Sequence, residues 1–351
     1  MKGRSTIKDI ARLAGVSPMT VSRVLNRRPG VKEETRRRVL DIVQRLGYRP
    51  SLVARSLVTK RSETLGVIIT TIRNPLYLEM AQAMEDKARA MGYNLLLAST
   101  HYDRELEARQ IEELRSRGVD GLIITSAHVE DPKVAELAEE GFPVVLVNRR
   151  VLRPDLRGKV DFVGVDNRKG AMEAVEHLLR MGHRRVGIIS GRRESSVTRE
   201  RLEGAKEAFR RHGLQLKEEW VVEGYFQRAS AYETAQRLLQ LEERPTAIFA
   251  MGDYMAFGVY DAALQLGLRV PEDLALVGFN DIDFSSMRAV GLTTVHHSIA
   301  RMGELAVEVL LERIGGRPPG RVVILEPRLV IRSSCGFAQR MGARGVEGRA
   351  P

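Results

Sequence analysis

The chain has 351 residues, of which 43% are hydrophobic and 29% are charged, a composition typical of a folded protein with more than one core. It contains no apolar run of the roughly 20 residues that cross a bilayer. It also lacks an apolar stretch behind its basic first residues, so we expect neither a membrane protein nor a secreted one. The single cysteine, Cys335, excludes an internal disulfide and favours the reducing cytoplasm.

The net charge of +11 is concentrated at one end of the chain. Residues 1–61 contain 16 Lys and Arg against 4 Asp and Glu, whereas the remaining residues contain 40 and 41. A basic segment attached to a nearly neutral body is the distribution expected of a protein that binds a polyanion such as DNA. A solvated basic tail is the alternative, but the segment carries the apolar periodicity of helices, which a tail lacks.

Residues 1–49 are predicted to form a helix-turn-helix domain. Thr6 is placed to cap a first helix, which Gly15 ends. Ser17 is placed to cap a second helix with Pro18 at its first position, where a missing N–H has no cost. Two short helices joined by a tight turn with glycine form this unit, and a third helix is predicted to pack beneath them.

The second helix of such a unit enters the major groove, where its first residues face the base edges. Arg23 can bind a guanine through two hydrogen bonds, whereas Pro18 and Met19 can only contact thymine methyl groups or exclude a wrong shape. Four more polar side chains are expected to hold phosphates, which set position rather than sequence, although they could instead serve as caps or be solvated. These side chains are Ser17, Thr20, Ser22 and Asn26.

Both helices and the segment that follows resemble the head of the lactose-repressor (LacI) family almost position for position. The matching stretches are TIKDIARLAGVSPMTVSRVLN and VKEETRRRVLDIVQRLGYRPSLVARSL. The resemblance implies that Pro18, Met19 and Arg23 contact the major groove of an operator. It also implies that the function of the head is sequence-specific DNA binding.

Residues 50–63 are predicted to be a hinge helix and a linker. A helix of seven or eight residues is not stable alone in water, so it needs a partner. The family resemblance implies that two hinge helices pair on the operator, with Ala54 and Leu57 at the DNA and Leu57 wedged into the minor groove. Packing of Leu57 against the body is the alternative.

From residue 64 to 335, short apolar runs alternate with amphipathic stretches. Unbroken apolar strands between helices predict parallel sheets covered on both faces. The fold class is therefore an α/β body of two doubly wound lobes, with a ligand crevice at the strand ends. It resembles the periplasmic-binding-protein type of body found in the same family. The lobes implied are about 64–165 with 293–325 and about 166–291 with 326–335.

The resemblance also implies an effector pocket in the crevice. Arg201 matches an arginine that binds ligand hydroxyls or a carboxylate, and Tyr77 and Phe226 match aromatic residues that pack on the ligand. The polar pocket positions implied are Asp166, Asp253 and Asn280. The simpler alternatives are core packing for the aromatic residues, a surface ion pair for Arg201 and a helix cap for Asp253.

Two amides stand where the family often has aspartates. They are Asn148 and Asn280. An amide both donates and accepts hydrogen bonds and carries no charge. These two positions therefore cannot bind sugar hydroxyls through a charged carboxylate. A neutral sugar, a nucleoside and an anionic metabolite all remain open as effectors.

The sequence contains no nucleotide-binding loop, paired-histidine metal motif or serine nucleophile elbow. We therefore expect no enzyme, no cofactor and no metal site. Residues 336–351 are rich in Gly and Arg and are predicted to be a loose tail. Some relatives append a leucine-heptad helix that makes tetramers, and its absence here favours a homodimer.

The predicted function is a cytoplasmic repressor that binds a palindromic operator as a dimer. A small molecule in the crevice, a sugar or related metabolite, would control it by shifting the angle between the lobes. The main competing function is a transport-type solute-binding protein without a regulatory role. An enzyme on a similar scaffold and a non-specific DNA binder come third and fourth.

Overall fold

The computed structural model describes residues 6–25, 29–48 and 61–336 and divides the chain into two units, residues 1–63 and 64–351. No helix in these described ranges is long and apolar enough to cross a membrane. Three predicted DNA contacts, the hinge helix and nearly all of the predicted tail lie outside the described residues. The three contacts are Asn26, Ala54 and Leu57.

The first unit contains three helices around a small apolar core. The helices are α1 (Ile7–Ala14), α2 (Pro18–Leu25) and α3 (Glu33–Arg45). The predicted Thr6 cap is confirmed and is part of a capping box, since the Thr6 side chain accepts from Asp9 N and the Asp9 carboxylate accepts from Thr6 N. Gly15 ends α1 in the left-handed conformation, with φ +62, which glycine adopts without strain. The core side chains that hold the three helices together include Ile10, Val21, Val24, Val39 and Ile42.

The second unit alternates strands and helices. The strands are β1 (Thr64–Ile69), β2 (Asn94–Ser99), β3 (Gly121–Ile124), β4 (Val144–Val147), β5 (Asp161–Val165), β6 (Val186–Ser190), β7 (Val221–Glu223), β8 (Ala247–Ala250), β9 (Ala275–Asn280), β10 (Thr293–His296), β11 (Val322–Leu325) and β12 (Arg328–Val330). The helices are α4 (Pro75–Ala90), α5 (Arg104–Ser116), α6 (Pro132–Glu139), α7 (Asn167–Arg180), α8 (Ser196–Arg211), α9 (Arg228–Leu239), α10 (Asp253–Gln265) and α11 (Ile299–Ile314). The central strands β3, β4, β5, β6, β8 and β9 are buried along their whole length, as strands covered on both faces must be.

The strands form two six-stranded sheets, one in each lobe. The lobe 1 sheet has the order β2-β1-β3-β4-β5-β11, and the lobe 2 sheet has the order β7-β6-β8-β9-β10-β12. All neighbours are parallel except β10 and β12. Each lobe therefore repeats one doubly wound order, and the two lobes confirm the predicted α/β fold class. In this order the ligand site lies beyond the carboxyl ends of the strands, where the strand order reverses.

The register brings the strand ends of each lobe to one level. In lobe 1, Ile68 lies opposite both Ala98 of β2 and Ile124 of β3. In lobe 2, Ile189 lies opposite both Val222 and Ala250. The loops that follow these strands consequently meet at one edge of each sheet.

The chain crosses between the lobes at Asp166, at 297–298 and at 326–327. The second crossing corrects the expectation that it lies near Leu292 and that lobe 1 resumes at 293. β10 is hydrogen-bonded to β9 on one side and to β12 on the other, so residues 293–296 belong to the lobe 2 sheet. The physical reason is that Thr293 is anchored in lobe 2, where its N–H donates to Ser334 Oγ at 2.8 Å.

Helix caps lie at the same edge as the strand ends. The side chains of Asn74, Asp103, Asp131 and Asp166 accept hydrogen bonds from the first turns of α4, α5, α6 and α7. Each cap follows a strand of lobe 1, directly or after a short loop. Several polar residues at the crevice therefore stabilise the first turn of a helix.

Candidate effector crevice and DNA-binding head

The helix α2 presents a buried face and an exposed face. Val21 and Val24 are buried against the α1 and α3 helices, whereas Pro18, Met19 and Arg23 are accessible, Met19 to 67%. An accessible methionine and arginine on the second helix of this unit are free to meet a DNA groove. The three predicted base-contacting residues thus lie on one accessible surface.

Ser17 caps α2 and its hydroxyl also contacts that of Thr20. Ser17 Oγ accepts from Thr20 N at 3.1 Å and lies 3.0 Å from Thr20 Oγ1. The capping interpretation of Ser17 therefore holds, and both hydroxyls lie at the positive end of the helix, where phosphates bind. Capping and a phosphate contact are compatible for Ser17.

A small cavity of about 10 Å³, with room for about one water molecule, lies between the lobes of the second unit. Its wall combines side chains from the loops after β1 and β4 of lobe 1 with side chains from lobe 2. The lining residues are Asn74, Leu76, Tyr77, Asn148, Arg149, Val197, Arg201, Phe226, Gly252, Tyr254, Met255 and Asn280. Of the pocket residues predicted from sequence, the structure brings Tyr77, Arg201, Phe226 and Asn280 together here.

Arg201 is held by neutral oxygens. Its Nε donates to Asn167 Oδ1 at 2.8 Å, one Nη to the Met251 carbonyl at 2.6 Å and the other to Asn280 Oδ1 at 3.3 Å. The guanidinium also lies 3.5 Å from the ring centroid of Phe279. Burial lowers the pKa of Arg201 to about 9, which leaves it charged at neutral pH. The surface ion pair considered for Arg201 is thus replaced by a buried cation at the cavity wall.

Asn280 is oriented by its neighbours. Its Oδ1 is shared by Arg201 and by His297 Nε2, which lies 3.3 Å away. Burial lowers the pKa of His297 to about 3, so this imidazole is neutral and its Nε2–H donates. The carbonyl oxygen of the Asn280 amide is therefore occupied, and the amide nitrogen is left as the group facing Gly252 and the cavity. An aspartate in this position would present an acceptor where this chain presents a donor.

Two of the predicted pocket residues do not line the cavity. Asp253 is completely buried in lobe 2, where its carboxylate accepts from Thr294 Oγ1 at 2.5 Å, Ser285 Oγ at 2.9 Å and Ile282 N at 3.0 Å. Asp166 accepts from Lys169 N at 2.9 Å as the cap of α7. The structure places both carboxylates in the scaffold that surrounds the cavity.

Arg149 is a cavity residue that sequence reasoning missed. It follows the buried strand β4, is 2% exposed and lines the cavity from lobe 1. Its guanidinium carbon lies 5.6 Å from the ring centroid of Tyr102 and 5.3 Å from that of Phe226, within the range of a cation–π interaction. The available signal is its position at the carboxyl end of an apolar strand, beside Asn148.

Phe226 is held in place by a glycine. A Cβ added at Gly191 would lie 1.9 Å from the Phe226 ring, so the ring packs directly on the backbone after β6. Phe226 itself has φ +59, a conformation that costs free energy and persists only where the surroundings enforce it. The ring is thereby fixed between lobe 2 and the Arg149 guanidinium of lobe 1.

Backbone strain is concentrated at the strand ends. Of the eight non-glycine residues with positive φ in the described part of the chain, seven lie at or just after the carboxyl ends of strands at the crevice. They are His101, Tyr102, Asn148, Tyr225, Phe226, Asn280 and Asp281. Strained residues cluster at binding sites, so the backbone marks the crevice independently of the side chains.

The lobes are in direct contact around the cavity. Val129 N of lobe 1 donates to the Glu194 carbonyl at 3.0 Å, and Arg150 N donates to Ser196 Oγ at 3.0 Å. The Arg150 guanidinium also pairs with Glu200 of α8 at 2.6 Å. These contacts close the crevice over the cavity, so a ligand larger than a water molecule enters only when the lobes move apart.

Glu107 lies behind the cavity in α5 and is 3% exposed. Burial raises its pKa to about 8, and the neighbouring Asp131 carboxylate adds to the rise. Glu107 is therefore harder to ionise than an exposed glutamate. Glu107 and Asp131, the two carboxyl groups behind Arg149, therefore carry together less than two full negative charges at neutral pH.

Two family models match the chain. One is described as bacterial regulatory proteins, lacI family, and matches residues 6–51. The second is described as a periplasmic binding protein-like domain and matches residues 175–335. The two matches fall on the helical unit and mainly on lobe 2.

Named relatives match nearly the whole chain. The HTH-type transcriptional repressor PurR of Mannheimia succiniciproducens is 36% identical over 332 residues, which cover 94% of this chain and 98% of that protein. The crystal structure of the Lac repressor dimer bound to operator and the anti-inducer ONPF has a TM-score of 0.85 at 27% identity, covering 95% of this chain and 99% of that one. The complex of the transcriptional regulator CelR with cellobiose has a TM-score of 0.70 at 29% identity, covering 94% and 100%.

Proposed function

The chain belongs to the lacI family of bacterial regulatory proteins, and we propose that a small molecule in its crevice controls how its head binds a palindromic operator. It is an allosterically controlled transcriptional repressor with a helix-turn-helix DNA-binding domain and an effector-binding body. Its named relatives are regulators rather than enzymes. We further propose that it acts in the cytoplasm, on the chromosomal DNA that carries the operator.

One observation supports the sequence-specific part of the proposal. Arg23 lies one turn beyond Met19 on the accessible face of α2 while the opposite face is buried. An arginine there reaches the O6 and N7 of a guanine with two donors, and this contact discriminates by about 1–3 kcal/mol. Pro18 and Met19 contribute shape and methyl contacts at neighbouring base pairs.

The dimer and the effector are proposed from the relatives. The Lac repressor structure is of a dimer on its operator, and the CelR structure is a complex with cellobiose. We propose by analogy that two copies of this chain bind two half-sites. We also propose that a sugar or related metabolite fills the cavity around Arg201, Phe226 and Asn280. Ligand binding at a cavity with walls from both lobes changes the angle between them.

Selection of binding sites from random duplex DNA tests the DNA-binding part. The full chain is compared with Arg23→Ala and with Arg37→Ala as a matched control, since Arg37 is an exposed arginine of α3 paired only loosely with Glu33, at 3.8 Å. We expect a palindromic consensus for the parent chain, loss of preference at one symmetric pair of positions for Arg23→Ala, and an unchanged consensus for Arg37→Ala. Enrichment of no sequence by the folded parent would contradict the proposal.

A solute-binding protein without a regulatory role is the competing function. It would bind its ligand in the crevice, but ligand binding would leave DNA affinity unchanged. An electrophoretic or anisotropy titration of the selected duplex with and without ligand separates the two functions.

A further inference from the structure

The cavity wall has an unbalanced charge. Two arginines line it, Arg149 from lobe 1 and Arg201 from lobe 2, and they are 2% and 1% exposed. No Asp or Glu is among the lining residues in the part of the chain that the structure describes. Burial of a cation without a counter-charge is costly, so a wall of this kind is suited to a ligand that brings negative charge.

Arg149 is the lining cation that most needs a partner. Within residues 6–25, 29–48 and 61–336, its guanidinium has no carboxylate at ion-pair distance and donates no hydrogen bond to a protein oxygen. Its contacts are the faces of the Tyr102 and Phe226 rings, which leave the N–H edges of the guanidinium unused. Burial raises the pKa of the Glu107 carboxyl behind it to about 8, which weakens this group as a counter-charge at pH 7. The guanidinium N–H groups that remain accessible at the cavity are therefore available to a ligand acceptor.

The lobe 2 side of the cavity is also rich in donors. Asn280 presents its amide nitrogen, because its oxygen is taken by Arg201 and His297. Gly252 lies in the wall at the amino-terminal end of α10, where a helix has a partial positive charge. Arg201 adds its own charge from within the wall. Donors from both lobes thus surround one space.

One lining group needs a hydrogen-bond donor rather than an acceptor. Asn148 Oδ1 is buried and has no donor among the described residues. A ligand hydroxyl would satisfy it, whereas a phosphate or carboxylate oxygen would not. The wall is therefore complementary to a ligand that has an anionic group and at least one hydroxyl.

We propose that the effector of this crevice is a small hydroxylated anion, such as a sugar phosphate or a sugar acid. Its phosphate or carboxylate binds the Arg149 guanidinium, and a hydroxyl donates to Asn148 Oδ1. This inference rests on the proposed function, of which it specifies the ligand class. It departs from a neutral sugar such as the cellobiose of the CelR complex.

Because the two arginines belong to different lobes, a bound anion changes the electrostatic interaction between the lobes. Arg149 and Arg201 belong to different lobes, and each repels the other, which lowers the pKa of Arg201 further. An anion between the lobes replaces this repulsion with attraction to both. The ligand therefore links the two lobes, which must separate from the position seen here to admit it, because the closed cavity has only about 10 Å³ of space.

The first test uses inorganic phosphate as the probe for the charged group. Thermal unfolding of the full chain is measured in sodium phosphate and in sodium chloride of equal ionic strength. Phosphate at about tenfold excess over its Kd should raise the Tm of the parent by about 3 °C relative to chloride. The shift should vanish for Arg149→Gln and persist for Arg109→Gln, an exposed arginine of α5 outside the cavity.

The same variants report on the cost of the buried charge. In chloride, Arg149→Gln should unfold at a Tm equal to or above that of the parent, because it removes an unpaired buried cation. A purely structural arginine would instead lower the Tm when replaced. A phosphate shift that is equal in the parent and Arg149→Gln would overturn the assignment of the anion to this site.

The second test compares glucose, glucose 6-phosphate and gluconate by calorimetry on the full chain. We expect at least about tenfold tighter binding of one of the anions than of glucose, and loss of that preference in Arg149→Gln. The phosphate and the acid are separated by which of them binds more tightly. Equal affinity for glucose and the anions would overturn the inference while leaving a small-molecule crevice intact. Binding of the anion without any effect on affinity for the selected duplex would instead overturn the proposed function and leave the ligand class standing.

Discussion

Replacement of Asp253 by alanine separates a scaffold role from a ligand-binding role. The change removes a completely buried carboxylate that accepts from the Thr294 and Ser285 hydroxyls and from Ile282 N. Each buried donor left without an acceptor costs about 1–3 kcal/mol. The two hydroxyls can rotate toward new acceptors but the backbone N–H cannot, so we expect a loss of about 3–5 kcal/mol in the free energy of unfolding.

The assay is urea unfolding of the full chain followed by circular dichroism. Asp261→Ala is the matched control, because Asp261 lies in the same helix and forms only a surface ion pair with Arg228, which contributes less than about 1 kcal/mol. A loss below about 1 kcal/mol for Asp253→Ala, or a loss equal to that of the control, would refute the scaffold role. Unchanged stability together with weakened ligand binding would instead show that Asp253 contacts the ligand, as the sequence resemblance implied.

Three further predictions concern the body. Asp161→Asn should lower stability by about 3 kcal/mol in chemical unfolding, since Asp161 is fully buried and pairs with Arg317 at 2.9 Å; a loss under about 1 kcal/mol would contradict this. Gly191→Ala should weaken ligand binding about tenfold or more by calorimetry, because a Cβ there occupies the place of the Phe226 ring; unaltered affinity would show that the ring is not a ligand contact. Burial raises the pKa of Glu107 above that of an unfolded glutamate, to about 8. Because the folded state then binds the proton more tightly, stability falls as pH rises from about 5 to 8, and Glu107→Gln should flatten this fall in Tm against pH.

Much of the head was readable from the sequence because its determinants are local. The capping box of Thr6 with Asp9 and the left-handed Gly15 each act within one or two turns of helix. The amphipathic pattern of α2 likewise fixes which side chains are buried and which are exposed. Local signals of this kind need no knowledge of distant segments.

Distant partners explain what the sequence did not reveal. β10 belongs to lobe 2 because it pairs with β12, more than thirty residues later, and its short TTVH run does not identify that partner. The Asp253 carboxylate is hydrogen-bonded inside lobe 2 because its donors come from residues 282, 285 and 294. A carboxylate at the start of a helix beside a crevice has the same sequence pattern whether it faces the ligand or the core.

Arg149 illustrates a limit of residue type as a guide. Arginine is mostly exposed in proteins, and two further arginines nearby in the sequence, Arg150 and Arg153, form ion pairs. Only the packing of Arg149 between two aromatic rings from different loops reveals that it is a buried, unpaired cation. The departures at Asn148 and Asn280 indicated an altered pocket, but its charge became evident only with this arginine in place.

The most direct test of the allosteric claim is the reciprocity of ligand and DNA binding. Calorimetry gives the Kd of the tightest-binding compound among glucose, glucose 6-phosphate and gluconate for the full chain, with and without the selected duplex. Fluorescence anisotropy gives the Kd of the duplex with and without that compound. We expect both constants to change by the same factor, about fivefold or more. A ligand affinity that is identical in the presence and absence of the duplex would contradict control of the head by the crevice.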